Sequence, residues 1–170
     1  MGDSINFIRY ATIANEWGAT VFCYCRPDLS DLFQKVRGIE EIIPVGAPIP
    51  VTDYQISIMD LPKIFTSSYD NVPLTEGYIE LPASDLERST DLQVGIVWQG
   101  NPTLKNDANR SVPLYFFDTL LDLEGVQFHA LQVGPGEEQT ELLEWEARLC
   151  MRSSELKNYA NTADVIAKLD

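Results

Sequence analysis

The residues from Leu92 to Pro113, LQVGIVWQGNPTLKNDANRSVP, restrict the fold more than any other part of the chain. Residues 92–98 are mostly apolar, with Val94, Ile96 and Val97, and read as a short strand buried on both faces. A polar loop follows, carrying Gly100, Asn101, Pro102, Lys105, Asn106, Asp107, Asn109 and Arg110. Ser111 or Val112 then caps a helix, with Pro113 at its first turn, where a missing N–H is tolerated. A buried strand, a polar loop at its carboxyl end and a helix start form the ligand-binding end of an open α/β sheet. Lys105 and Arg110 make this loop a candidate anion site, suited to a phosphate group.

The cations matter because the chain is acidic, with a formal net charge of −14. Such a surface repels nucleic acid and anionic lipid, so neither is expected as a partner. A small anion is still admissible where cations gather. A length of 170 residues suits one ordinary domain or two small ones, and a hydrophobic fraction of 45% permits a sizeable core. No apolar run approaches the roughly 18 residues that a membrane span needs. The opening MGDSINFIRY has no basic segment followed by an apolar one, so no secretory signal is expected. Asn6 stands where myristoylation requires Ser or Thr. The three cysteines, Cys23, Cys25 and Cys150, have no framework spacing and point to reduced thiols in a cytoplasmic setting. Cys23 and Cys25 share one strand face and read as core thiols. A metal pair would need further ligands, and His129 is the single histidine, so no metal is expected.

Upstream of the loop, elements alternate. Residues 5–17 carry a broad helical apolar face, with Asp3 or Ser4 as cap and Gly18 as the left-handed end. Residues 19–25 are β-rich. Pro27-Asp28 opens a helix over 29–36 that Gly38 stops. Strands are expected at 39–45 and 54–61 around a turn at 46–50, then a short helical piece from Pro62 through Phe65. This spacing is that of a parallel sheet with crossovers. The order starts with a helix, so the first strand of such a sheet is expected to be absent. Ser68–Asp91 reads as a linker with one extended piece at 78–81. After the central loop come an amphipathic helix at 113–123, a strand at 126–133 and a break at Gly134-Pro135-Gly136. An acidic helix at 137–149 and a last helix at 162–169, capped by Asn161 or Thr162, complete the pattern. The expected division is 1–90 and 91–170, both α/β, with the second half cut short.

Four pieces occur in a telling order: GDSINFIRYA, GIVWQGNPTLKNDANRSVPL, HALQVGPGEEQ and LKNYANTADVIAKLD. Together they resemble a bacterial glycosyltransferase-like family that often carries tetratricopeptide repeats upstream and is related to the heptosyltransferases (glycosyltransferase family 9). The resemblance covers nearly the whole chain, and KNDANRS is its most specific part. It implies a GT-B architecture, two Rossmann-like halves facing across a cleft, with the acceptor handled by the first and the nucleotide-sugar by the second. Family members usually have a strand and a glycine before the Gly2-Asp3 pair, and a further strand and loop after the last helix. By this resemblance the chain is the middle of such an enzyme.

Each candidate residue has two readings. Asp3 matches the family's acidic residue at the first loop, a general base for an acceptor hydroxyl, and is equally a helix cap. Lys105 and Arg110 would neutralise a departing nucleotide diphosphate, or belong to a solvated loop in which Asp107 pairs one of them. Asn106 and Asn109 would donate to phosphate or sugar, or make turns. Gly134, with Gln132 as companion, would contact the nucleoside, although Glu137 and Glu138 would repel phosphate there. His129 reads as a satisfied core histidine. Asn161 and Thr162 lie near the nucleotide by resemblance, or simply cap a helix. The expected substrates are a nucleotide-sugar and a hydroxyl on a glycan or protein, with no cofactor and inverting chemistry. The alternative is a non-catalytic α/β interaction module. A homodimer through exposed sheet edges is expected in either case.

Overall fold

In the computed structural model, which describes residues 1–65, 67–68, 70–73, 77–81, 91–143, 145 and 148–170, all named strands pair in parallel within two separate sheets. The chain divides into two units, Met1–Leu81 and Pro82–Asp170. The expected boundary at residue 90 falls in the stretch 82–90, outside the described residues.

The first unit begins with α1 (Gly2–Phe7) and α2 (Arg9–Glu16), separated at Ile8, which is buried. Met1 occupies the cap of α1 and no side chain caps it, so Asp3 and Ser4 are not caps as expected. The helix starts earlier than its apolar pattern, and Asp3 instead lies in the first turn, where its charge complements the helix dipole. Gly18, at φ 94°, ends the segment in the left-handed region. β1 (Val21–Cys25) pairs in parallel with β2 (Ile39–Pro44) across α3 (Pro27–Phe33). Pro27 sits at the start of α3, and Leu29, Leu32 and Phe33 form its buried face. The core also takes Ile8, Tyr10, Ala11, Cys25, Val36 and Ile43. Cys23 is half-buried, and burial beside Cys25 pushes its thiol up to about 12, so it stays an inert core thiol.

The expected strand at 54–61 is not formed. Residues 54–57 are irregular, Ile58–Asp60 make a 3-10 turn that Ser57 caps, and α4 (Leu61–Ile64) follows. Alternation alone does not make a strand when no neighbour supplies a ladder. Of the expected extended piece at 78–81, Ile79 bridges Val36 antiparallel, and Glu80 N–H donates to Lys35 O at 2.6 Å.

The second unit holds β3 (Leu92–Ile96), β4 (Val126–Ala130) and β5 (Cys150–Met151), in the order β3-β4-β5. In register, Ile96 lies beside Ala130 and Ala130 beside Met151. β3 is not buried on both faces as expected: Ile96 and Trp98 are buried, while Leu92, Gly95 and Val97 are exposed. The helix expected at 113–123 is only a 3-10 turn, Leu114–Phe117, preceded by Pro113 without a side-chain cap. Leu114 is nonetheless wholly buried, in a cluster with Ile96, Trp98, Phe128, Ala130, Trp145 and Leu149. The acidic helix is also shorter than expected, α5 (Glu138–Leu142); residues 144, 146 and 147 lie outside the described residues. α6 (Tyr159–Ile166) starts before its expected position. Its cap is Asn158, whose side chain accepts from Asn161 N–H, so neither Asn161 nor Thr162 is the cap. The fold class is thus α/β with open parallel sheets, consistent with a Rossmann-like class.

Candidate functional site

Parallel pairing puts the carboxyl ends of β3, β4 and β5 along one edge of their sheet. The segments that leave this edge carry every candidate of the second unit: Lys105, Asn106, Asn109 and Arg110 after β3, Gln132 and Gly134 after β4, and Asn161 and Thr162 after β5. In open α/β sheets this edge is where ligands bind.

The loop after β3 is pinned from inside. Ser111 Oγ accepts from Gly100 N–H at 2.9 Å and donates to Asp107 Oδ2 at 3.0 Å. Val112 N–H donates to Trp98 O at 2.8 Å, closing the loop at its base. Asp107 is only 8% exposed. Its Oδ1 is buried without a hydrogen-bond partner among the described residues and faces Gly100, where an added Cβ would lie 2.5 Å away. Asp107 therefore ties the loop to Ser111 and pairs with neither cation in the described structure. Lys105 and Arg110 are exposed and have no ion-pair partner among the described residues. Asn109 Nδ2 donates to Asn106 Oδ1 at 2.7 Å, so these two make a local turn first. An alanine at position 100 is expected to displace the Asp107 carboxyl from Ser111 and cost about 2 kcal/mol. Urea unfolding of Gly100→Ala measures this, and an unchanged midpoint would show that the pin carries no stability.

Gln132 is 4% exposed, and its amide is fully used within the protein. Oε1 accepts from Trp98 N–H at 3.2 Å and Gln99 N–H at 3.0 Å. Nε2 donates to Gln99 O at 3.1 Å and Pro135 O at 2.7 Å. It fastens the start of the β3 loop to the turn after β4. Trp98 Nε1 reinforces this by donating to Gly136 O at 3.0 Å, and Gln139 spans Gln99 Oε1 and Leu114 N–H. Gly136 has φ 96°, and a Cβ there would meet Gln99 at 2.8 Å, so the turn requires glycine at that position. The amides of this turn already face carboxylates: Gly134 N–H donates to Glu137 Oε2 and Gly136 N–H to Glu138 Oε2, both at 2.8 Å. From the sequence, Gln132 reads as a companion to Gly134 at a nucleoside contact. Its latch role has no local signal, because its β3-side partners lie more than 30 residues away.

β4 also carries His129, which is 3% exposed and held at both nitrogens. Arg152 Nε donates to Nδ1 at 3.0 Å, so Nδ1 is the acceptor and Nε2–H is left to donate to Gln93 Oε1 at 2.7 Å. Arg152 continues to Glu155 at 2.9 Å, and that hydrogen bond holds the Glu155 carboxyl below its usual range. Burial first, and the Arg152 charge second, depress the His129 pKa below its ordinary 6.5. The unfolded chain then binds a proton that the folded chain refuses. Stability from this group is complete above about pH 6.5 and is lost as pH falls through the folded value. Thermal unfolding is expected to fall with pH below 6.5, and His129→Gln is expected to flatten that slope. A slope unchanged in His129→Gln would assign it elsewhere.

In the first unit, a cleft of about 420 Å³ is lined by Asn6, Phe7, Arg9, Tyr10, Pro62 and Val72 among others. Asp3 is exposed and does not line this cleft; it stands one helical turn before Asn6 and Phe7 on α1. Tyr10 OH donates to Ser67 Oγ at 2.8 Å, and Arg9 is braced on Asn6 and lies 4.8 Å over the Tyr78 ring. Apolar ring faces with a few polar groups suit a small hydroxylated molecule.

Among the described residues, no helix is long and apolar enough to cross a membrane, and no three His, Cys, Asp or Glu side chains group as a metal set. No protein-family model matches the chain, and no curated protein or solved structure matches it either.

Proposed function

We propose that the chain is part of a glycosyltransferase of GT-B type, moving a sugar from a nucleotide-sugar donor to a hydroxyl on a glycan or protein. The observation that carries this reading is the carboxyl edge of the second sheet. There, adjacent parallel strands deliver a loop with two exposed cations, Lys105 and Arg110, in a chain of net charge −14. A nucleotide diphosphate departs with developing negative charge, and cations fixed near that charge stabilise the transition state. Arg110 would hold phosphate through paired N–H groups, and Lys105 would act as a point charge. Gln132 would act indirectly, by holding Gln99 and the Gly134–Gly136 turn in place. Asp3, one helical turn before the cleft residues Asn6 and Phe7, would take the proton of the acceptor hydroxyl as its oxygen attacks the anomeric carbon with inversion. Charge from the loop cations would serve in place of a metal.

One observation favours the alternative, a non-catalytic α/β interaction module. The amides of Gly134 and Gly136 are engaged by Glu137 and Glu138, and Asn161 N–H by Asn158. These donors are not free for a nucleotide. Calorimetric titration with uridine, guanosine, cytidine and adenosine diphosphates separates the two readings. The glycosyltransferase reading expects heat with at least one, unchanged by Asp3→Asn, because that residue serves the acceptor. No heat with any of the four would leave the module reading standing.

A further inference from the structure

Residues 48–56, PIPVTDYQI, enter no backbone–backbone hydrogen bond among the described residues. Val51 and Tyr54 are 103% and 90% exposed, and Ile49 and Ile56 are also exposed. Apolar side chains and unpaired peptide groups together mark a segment that gains by joining a ladder. Tyr54, Ile56 and Ile58 alternate with Gln55 and Ser57, the spacing of a strand with one apolar face. In the single copy Ser57 O accepts from Asp60 N–H and Ile58 opens the 3-10 turn, which joining a ladder would unwind at its first residue. The same unit holds the complementary feature. β1 pairs only with β2 in a two-stranded sheet, so its other edge has no strand on it among the described residues. Five residues make up β1, the length of the segment from Tyr54 to Ile58.

We propose that two copies of the chain exchange these parts, the segment Tyr54–Ile58 of each adding to the open edge of β1 in the other. Two features select a second copy as the occupant. Each copy offers both halves of the joint, so a single two-fold axis satisfies both at once. From Pro44 to Met59 the one charged residue is Asp53, in a chain of net charge −14. This stretch is where two such acidic molecules meet with little repulsion. The joint turns each two-stranded sheet into three strands, which a lone ribbon of this length does not achieve.

Sedimentation equilibrium of the full chain tests this, beside Ile56→Lys and Ile56→Pro. Position 56 is exposed and its N–H is in no backbone ladder, so the single-copy fold does not depend on it; circular dichroism checks that each variant is folded. The native chain is expected to be a dimer whose dissociation constant rises by about tenfold or more in both variants. Hydrogen exchange at 21–25 and 54–58 is expected to slow as concentration rises. Three results would overturn the exchange: a native chain that stays monomeric to roughly millimolar concentration, a dimer insensitive to both variants, or an open-ended assembly in place of a closed dimer.

Discussion

Gln132→Leu is expected to destabilise the second unit by about 4 kcal/mol, because leucine fills the space and removes all four hydrogen bonds of the latch. Trp98 N–H, on a residue only 3% exposed, loses its partner where water reaches poorly, whereas Pro135 is exposed and its carbonyl turns to solvent. A buried polar group left alone costs about 1–3 kcal/mol, and the partly exposed Gln99 recovers some of this from solvent. Gln132→Glu makes a useful contrast. It keeps the acceptor for Trp98 and Gln99, loses both donors and brings a charge into the site, so it is also expected to destabilise. Urea unfolding with Trp fluorescence measures both. A loss below about 1 kcal/mol for Gln132→Leu would mean that the loop and the turn are held together by packing alone.

Replacing Lys105 and Arg110 together by alanine is expected to weaken nucleotide diphosphate binding by at least about 100-fold, since each charge-assisted hydrogen bond contributes about 1.5–3 kcal/mol. Unfolding should barely change, because both side chains are exposed and lack ion-pair partners among the described residues. This separation of effects distinguishes a binding role from a structural one. Arg110→Lys should restore part of the affinity, the charge being kept and the planar fork lost. High salt should weaken the native interaction in the same direction, as screening reduces exposed cations most. Affinity unchanged in the double variant would remove these residues from the site.

The same contrast between local and distant partners explains what was legible in the sequence. Elements set by nearby residues came through: Pro27 opening α3, Gly18 ending α2, Gly134 and Gly136 breaking the chain after β4. His129 was readable as a satisfied core histidine because a lone histidine in a buried strand must find partners within reach. The strands at 21–25, 39–44, 92–96 and 126–130 came through as well, but other elements that depend on distant neighbours did not. Residues 54–61 have the pattern of a strand, yet no strand pairs with them. Residues 113–123 have a helical apolar face, yet they turn tightly, and Leu114, bonded through its N–H to Gln139, is buried in the cluster around Trp98. At the candidate site, the exposed cations were visible as a local excess of positive charge. The pin through Asp107 was not legible, because pairing with Lys105 or Arg110, one of the two readings left open, is as plausible from spacing as the bond to Ser111 that forms. The start of α6 was placed late for a similar reason: Asn158, Asn161 and Thr162 are all capping residues, and only the backbone decides among them.

A nucleotide diphosphate is proposed to sit on the carboxyl edge of the β3-β4-β5 sheet. Amide chemical shifts of the isotope-labelled chain, followed while the best-binding diphosphate is added, test it residue by residue. Shifts are expected to concentrate at 99–111, with a weaker response at 132–137 and 158–162, and none at 21–44. Shifts absent from 99–111, or confined to the first unit, would contradict it.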